Sequence, residues 1–372
     1  MSASTQAAVH GITVARSNRV AILETLCHSG PISRSQLAEL TGIALPTVHR
    51  LCAQLKEEGF IEELGEHKDG RGRPMQILSF NSSYHAMVTI NVRGSQIDGA
   101  LMGLNGKTLF QVSSKYGQDS RVDQDQNSYV QSIVAMISFL QAQAQKMSIP
   151  CSGIGIGIPG VVNGDGMVYA ANELHWSQVP LLSILQTSFS DDILIENNAN
   201  AFAYGESLVG AGKGCDPVVG YTIRHFGVGA GIISKGTILR GRHGSAGEMG
   251  YTLTSTDSLR KYYTSGGDLE QQISLLSQDP KQLQDPQTRG QLFDLIALSM
   301  SNLCLLIDPQ IIVIDASGTL PKQEIADAVS KRLVGRIPNV PHIVPTQLEQ
   351  EAPLVGIGEL IAQKMRTQLF NE

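Results

Sequence analysis

The apolar positions of the chain change period several times, and each change marks an element. Val20, Leu23, Leu26 and Cys27 recur at helical spacing between Ser17 and Ser29, and Gly30-Pro31 stops that run. Ser33 with Gln36 three residues later is a capping-box pattern, in which hydroxyl and amide each satisfy a free backbone N–H at a helix start. Leu37 and Leu40 are the expected buried side of that second helix. Thr41-Gly42-Ile43 reads as a turn, and Val48, Leu51, Cys52 and Leu55 give a third helix one apolar face that closes at Gly59. Ala44 stands where such a helix often has a capping Ser, which predicts a weaker or shifted start. Ile61 to Leu64 and Met75 to Leu78 read as two short strands joined by GEHKDGRGRP. Three helices followed by a hairpin is winged helix-turn-helix spacing.

After residue 85 the pattern turns strand-like. Ala86 to Val92, Gln96 to Leu104 and Thr108 to Ser113 read as consecutive strands with turns at Arg93-Gly94 and Asn105-Gly106; an amphipathic helix from about Ser128 to Met147 and a buried strand at Ile154 to Ile158 follow. The same order recurs at Val218 to Leu239, Leu292 to Ile307 and Ile311 to Ile314, with further helices at Asn200 to Leu208 and Pro353 to Gln368. A duplicated half of this kind is what an actin-like or ribonuclease-H-like α/β fold requires, with a ligand held between two lobes.

Composition narrows the picture. A chain of 372 residues with 42% hydrophobic content holds two or three domains, and five scattered cysteines without a CxxC pair argue for reduced thiols. No signal-type N-terminus and no run of membrane-spanning length is evident, so the expectation is a cytoplasmic protein with no membrane partner. The net charge is -6, and residues 1–80 carry eight Lys/Arg against eight Asp/Glu, so any DNA contact must come from placed side chains. Those are Pro46, Thr47, His49 and Arg50 near the start of the third helix, for base edges or phosphates in a major groove, and Arg71 and Arg73 of a proline-stiffened RGRP, for a narrow minor groove.

The stretch from Phe226 to Tyr251 combines two strand-like runs, a turn at Gly236 and a glycine-rich entry to Glu248. Gly227, Gly229 and Gly231 leave one strand face bare, which suits either tight packing or a ligand against the backbone. Joined to IGIGIPG (Ile154 to Gly160) and IENNANAFAYGE (Ile195 to Glu206), this stretch resembles the ROK family of repressors, open reading frames and kinases, from about Ala86 to the C-terminus. The resemblance implies residues 1–82 as a winged helix-turn-helix and 83–372 as a two-lobed, actin-like duplicated domain. Lobe one would be about 83–195 with the C-terminal helix 353–368, and lobe two about 196–350.

The resemblance also implies which chemistry is missing. Where family kinases have a magnesium-organising aspartate and phosphate-facing glycines, this chain has Asn91-Val92-Arg93-Gly94-Ser95; where they have the catalytic base, it has Asn198; and Ile314-Asp315-Ala316-Ser317-Gly318 replaces consecutive glycines. No catalytic residue and no cofactor is therefore expected. The family's zinc-binding His and three Cys fall on Tyr251, Lys261, Tyr263 and Asp268, so no metal is expected, and the loop must be ordered by packing of Tyr251, Tyr262 and Tyr263 or by the ligand. Gly160, Asn172, Asn197, Asn198, Glu248, Tyr251 and Glu270 fall where hydroxyl-binding residues are expected, and Trp176 at the pocket entrance.

The reading is a non-catalytic transcriptional regulator, a repressor of carbohydrate-utilisation genes. Its partners would be operator DNA, a sugar or sugar-phosphate effector, and copies of itself in a homodimer or homotetramer. The alternative is a ROK-type sugar kinase with a regulatory DNA-binding head, which the retained GVGAGI and IGIGIPG strands leave open.

Overall fold

The computed structural model describes residues 3–67, 75–94, 96–115, 126–224, 227–263, 266–277, 281–316 and 320–370. The head consists of α1 (Ala3–Ser29), β1 (Ile32–Ser33), α2 (Arg34–Thr41), α3 (Leu45–Glu57), β2 (Ile61–His67) and β3 (Met75–Phe80), with sheet order β1-β3-β2. Helix α1 starts well before Ser17: apolar spacing marks only its packed end, where Ile22, Leu23 and Leu26 are buried, and no proline precedes Pro31 to stop it. The Ser33 capping box forms, with Ser33 N donating to Gln36 Oε1 (2.9 Å) and Gln36 N to Ser33 Oγ (3.3 Å). Leu40, expected inside, is 61% exposed, because α2 spans only two turns and α1 and α3 cover its Leu37 side. Helix α3 begins at Leu45 without a side-chain cap; the Ala44 carbonyl accepts from Thr47 N (2.8 Å) and Val48 N (3.1 Å), and Pro46 sits in the first turn, where a missing N–H costs nothing.

Two sheets of matching topology follow. The first is built from β4 (Ala86–Arg93), β5 (Gln96–Gly103), β6 (Thr108–Lys115), β7 (Cys151–Ile158) and, later in the chain, β11 (Ile193–Asn197), in the order β11-β7-β4-β5-β6. Helix α4 (Gln126–Lys146) leads into β7, and β8 (Val161–Val162), β9 (Val168–Ala171), β10 (Trp176–Val179) and α5 (Leu181–Gln186) lie between β7 and β11. After α6 (Asn198–Val209), the second sheet forms from β12 (Val218–Arg224), β13 (Gly227–Ser234), β14 (Thr237–Ile238), β15 (Ile311–Ala316) and β16 (His342–Pro345), ordered β14-β13-β12-β15-β16. Its helices are α7 (Asp268–Ser277), α8 (Pro286–Ile307) and α9 (Lys322–Leu333), and α10 (Ala352–Leu369) ends the chain. Each sheet is an antiparallel meander whose first strand takes a parallel neighbour, β7 beside β4 and β15 beside β12, which is the predicted duplication.

The glycine-rich strands seat helices. A Cβ added at Gly155 would stand 2.5 Å from Ile357 Cγ2 of α10, and one at Gly231 would stand 2.6 Å from Ala203 Cβ of α6. The bare strand face is divided between the two readings: α6 packs on Gly231, while Gly227 and Gly229 line the cleft. A correction concerns α8, which is long and apolar enough to cross a membrane by length and composition; Leu292, Phe293, Ile296, Met300 and Leu303 bury one side of it in the core of lobe two.

Helix α6 lies on β12 and β13 of lobe two, α10 on β4 and β7 of lobe one, and the two helices cross each other. At that crossing a Cβ on Gly356 would overlap the Ala201 carbonyl oxygen, and one on Gly205 the Ala352 carbonyl oxygen. Gly356→Val is therefore expected to lower stability by about 3 kcal/mol, or about 6–12 °C in Tm. Gly290→Ala, at a position where a Cβ meets nothing, should be neutral or stabilising in the same thermal melt.

Candidate functional site

A cleft with an empty volume of about 770 Å³ opens between the two sheets, at the ends of β4, β7, β11 and β12. Strand β7 runs into Pro159-Gly160, where Gly160 has φ 100° and no room for a Cβ against Ala170. The Gly160 carbonyl accepts from Asn197 Nδ2 (2.7 Å), while Asn197 Oδ1 caps α6 by accepting from Ala199 N (2.7 Å) and Asn200 N (3.1 Å). Asn197 thus lines the cleft with its side chain already committed to holding two walls together. Asn198 donates to the Val92 carbonyl (2.6 Å) and, among the described residues, leaves Oδ1 without a partner; Asn91, fully buried, has neither amide atom paired among them. Both amides converge on Gly157, where an added Cβ would lie 2.6 Å from Asn198 Oδ1 and 3.2 Å from Asn91 Oδ1.

Opposite them stand three carboxyls and an amide. Glu248 precedes the short turn Met249–Tyr251, Glu270 lies in the first turn of α7, and Asn172 and Glu173 follow β9. Burial, reinforced by the charge of Glu270, pushes the Glu248 carboxyl up to about 7. Burial also raises Glu270, against hydrogen bonds from the Gly267 N–H and the Asn172 side chain. A carboxyl partly protonated near neutrality donates as well as accepts, so this pair can read adjacent hydroxyls in both senses. Gly160, Asn172, Asn197, Asn198, Glu248, Tyr251 and Glu270 all line this one cleft.

Trp176 does not. It is 3% exposed in the lobe-one core, edge-to-face with Tyr129 at 6.2 Å, because β10 turns its ring away from the cleft and into the packing under β9. Four polar lining residues were not among the expected ligands: Arg93, Glu173, Thr222 and Arg224. Arg93 pairs with Asp98, and Arg224 with Asp315 at 3.0 Å, so a guanidinium from each lobe stands at the edge of the cleft. The signal for Arg93 was its replacement of a glycine; for Arg224 it was only a charge ending a strand. Burial raises Glu173, opposed by Arg224 and Arg93. A magnesium–nucleotide does not fit these side chains: an unpaired amide stands where a carboxylate would hold the ion, and Arg93 occupies a glycine's place. Ser317 and Gly318 lie outside the described residues.

Arg240, which also reads as a candidate for meeting a sugar phosphate or as solvated charge, instead binds Glu196 through Nε (2.8 Å) and Nη2 (2.6 Å). Glu196 in turn accepts from Asn197 N and Asn200 Nδ2, both at 2.9 Å, which makes it a brace for the start of α6.

The loop at the family's zinc positions is ordered by a carboxylate. Asp268, 2% exposed, accepts from Thr254 N (2.7 Å), Thr254 Oγ1 (2.6 Å), Ser258 Oγ (2.6 Å) and Tyr263 Oη (2.8 Å). Burial works against its charge, but the donors from Ser258, Thr254 and Tyr263 outweigh it and hold the carboxyl well below its usual range. Packing of the three tyrosines is not what orders the loop: Tyr262 is 98% exposed and Tyr251 45%, and Tyr263 contributes through its hydroxyl. Tyr251, Lys261, Tyr263 and Asp268 offer no tetrahedral nitrogen and sulfur set, so zinc does not fit.

In the head, Pro46, His49 and Arg50 are exposed at the start of α3 and Thr47 is half-buried beside them. Leu45, 42% exposed, joins that surface and suits a thymine methyl; it reads in sequence as an ordinary helix-starting residue. Arg34 and Lys56 are both tied to Glu63, and Arg19 to Glu58, whereas among the described residues Arg50 meets only Gln54, at 3.4 Å. The proposed minor-groove residues Arg71 and Arg73 lie outside the described residues.

Comparison with known proteins places this geometry in context. Residues 87–274 match the model of the ROK family, and residues 16–62 a winged helix-turn-helix DNA-binding model. The chain is 26% identical to the xylose repressor of Bacillus subtilis over 94% of its own length and 95% of that protein's. It is 28% identical to the N-acetylglucosamine repressor of Escherichia coli O157:H7 over 63% of the chain and 56% of that protein. Among solved structures, a ROK-family transcriptional regulator described as a homologue of the E. coli MLC protein superposes with TM-score 0.73 at 20% identity, covering 96% of this chain and 98% of that one. A ROK glucokinase from Streptomyces griseus with glucose and AMPPNP superposes with TM-score 0.61 at 23% identity over 75% and 99%.

Two outcomes test the site. Because the folded-state pKa of Glu248 is raised, its contribution to stability is complete below its ordinary 4.5 and is lost as pH rises through about 7. Glu248→Gln should therefore melt a few degrees above the parent at pH 8, the difference closing toward pH 5. Asp268→Asn should speed amide hydrogen exchange across residues 252–263 by about tenfold or more, as charge-assisted hydrogen bonds to the carboxylate are lost.

Proposed function

The chain belongs to the ROK family, and from that membership and the winged helix-turn-helix ahead of it we propose that it is a sugar-responsive transcriptional repressor. The head, residues 1–82, reads operator DNA through Pro46, Thr47, His49 and Arg50, with Arg71 and Arg73 on the wing. The domain from 83 to 372 holds the effector between lobe one (about 83–195 with 353–368) and lobe two (about 196–350). Gly160, Asn172, Asn197, Asn198, Glu248, Tyr251 and Glu270 contact the sugar. The protein acts in the cytoplasm as a homodimer or homotetramer, since paired heads match a palindromic operator.

The observation that carries this reading is Asn198. It keeps a polar group at the floor of the cleft, yet its Nδ2 is spent on the Val92 carbonyl and its amide takes up no proton at neutral pH. A hydroxyl is held there without being activated, which supports an effector site in place of a kinase. The relatives' names point to pentoses and aminosugars as first candidates.

The test is calorimetry with D-xylose and N-acetylglucosamine beside a coupled ATP-turnover assay on the same sugars. The expected result is binding of one of them, lost in Glu248→Gln and Glu270→Gln, with no turnover. ATP-dependent phosphorylation by the parent protein would overturn the reading. On a duplex selected from a random pool by the protein itself, Arg50→Ala should weaken binding and make the salt slope shallower by about 1 if Arg50 meets a phosphate; if it reads a base it should instead relax sequence preference at one position, by about 1–3 kcal/mol.

A further inference from the structure

The core of the head does not close on itself. Ile22, Leu23 and Leu26 of α1 share one apolar cluster with Met87, Met102 and Leu104 of lobe one and with Ile361, Met365 and Phe370 at the end of α10. Phe60 stacks on Tyr84 (3.9 Å between ring centroids) and meets Phe370 edge-on at 5.9 Å. Inside this apolar seam sits a charged side chain, Arg366, which is 1% exposed.

Arg366 has partners from three places. Nη1 donates to the Leu104 carbonyl at the end of the first hairpin (2.7 Å), Nη1 and Nη2 bind Glu359 one face along α10, and Nε stands 3.2 Å from Glu24 Oε2 on α1. Among the described residues the Nε N–H has no aligned acceptor, so the link to Glu24 is a charge attraction at 3.2 Å rather than a directed hydrogen bond. Glu24 also meets His28 one turn on, at 3.1 Å. A buried cation with no polar or catalytic task in the cleft is costly to keep, and removing one partner of such a group leaves the rest uncompensated. What Arg366 gains for that cost is a fixed relation between helices of two domains.

The same α10 crosses α6 at the other end, with Gly356 against Ala201 and Gly205 against Ala352, and α6 begins at Asn197 and Asn198 in the cleft. One rigid helix therefore spans from the lobe crossing to the head. We propose that Arg366 is the positioning residue through which α10 sets the orientation of the DNA-reading head, with Glu24 as the releasable contact and Glu359 with the Leu104 carbonyl as the permanent ones. When the lobes move about the α6–α10 crossing, α10 carries Arg366 with it, and the undirected Arg366–Glu24 attraction makes α1 follow or let go. The sugar arm of this proposal rests on the effector reading given above; the geometric arm does not.

Glu24 is the position to change, because its side chain is 37% exposed and its loss leaves Arg366 bound to Glu359. The aromatic seam around Phe60 and Phe370 keeps the head attached in either variant. Spin labels at Ala53→Cys on α3 and Lys331→Cys on α9, in a background with Cys27, Cys151 and Cys215 replaced by Ser and diluted with unlabelled protein, report the head-to-lobe distance. The parent should give one narrow distribution, Glu24→Gln a broader or displaced one, and Glu24→Lys, which sets a like charge beside Arg366, a larger change. Affinity for the pool-selected duplex should change by about fivefold or more in Glu24→Gln and further in Glu24→Lys, with calorimetric affinity for D-xylose unaltered.

If saturating D-xylose changes the duplex affinity of the parent, that ratio should fall toward 1 in both variants, which a merely structural role for the pair does not require. Should D-xylose not bind the parent, the effector reading loses its first candidate while the distance and duplex measurements still decide this one. Superimposable distance distributions together with duplex affinities within about twofold of the parent would overturn the proposal.

Discussion

The close approach of α6 and α10 is the constraint on which the rest of the structure depends. Each helix belongs to a different lobe, and each presents a glycine to a carbonyl of the other, so the axes come nearer than any side chain at those positions would allow. Behind the crossing, glycines in the strands repeat the device: Gly153 and Gly155 of β7 receive α10, and Gly220 and Gly231 of the second sheet receive α6. The carboxylate of Glu206, fully buried in α6, accepts from Thr346 Oγ1 and from the N–H groups of Gln347 (3.1 Å), Leu348 (3.0 Å) and Ala211 (2.7 Å). The segment entering α10 is thus pinned to the end of α6. A joint with so little slack holds the two helices as packed bodies at one place.

The walls of the cleft are held by carboxylates that each gather several donors. Asp268 gathers the loop from Thr254 to Tyr263, and Glu196 with Arg240 braces the entry to α6. Arg93 and Arg224 bring positive charge from both lobes to the edge of the cleft, each neutralised by an aspartate of its own sheet. Inside, burial raises the carboxyls of Glu248 and Glu270, so that the cleft presents acceptors and, near neutrality, a donor at Glu248.

The head illustrates economy of charge. Among the described residues, Arg34 and Lys56 are spent on Glu63 and Arg19 on Glu58, while the start of α3 stays exposed. A head of this kind owes little to a general electrostatic field and much to where α3 is held.

Local signals in the sequence determined a good deal. The Ser33 capping box, the α3 face of Val48, Leu51, Cys52 and Leu55, and the repeated order of meander, helix and strand were all legible, because caps and periodicity act within a few residues. The cleft residues were legible through motif resemblance, and their convergence in one cavity followed from the duplication. What tertiary structure alone decided are the contacts between distant segments. Whether Gly231 faced a ligand or a helix, whether Trp176 faced the cleft or the core, and what held the loop at Asp268 depended on neighbours tens of residues away. Arg366 is the extreme case: Glu359 two turns back in α10 shares its charge, but the apolar seam that buries it, the Leu104 carbonyl and Glu24 come from the first hairpin and from α1. Sequence records which groups must be satisfied; only the folded chain brings the partner that satisfies them.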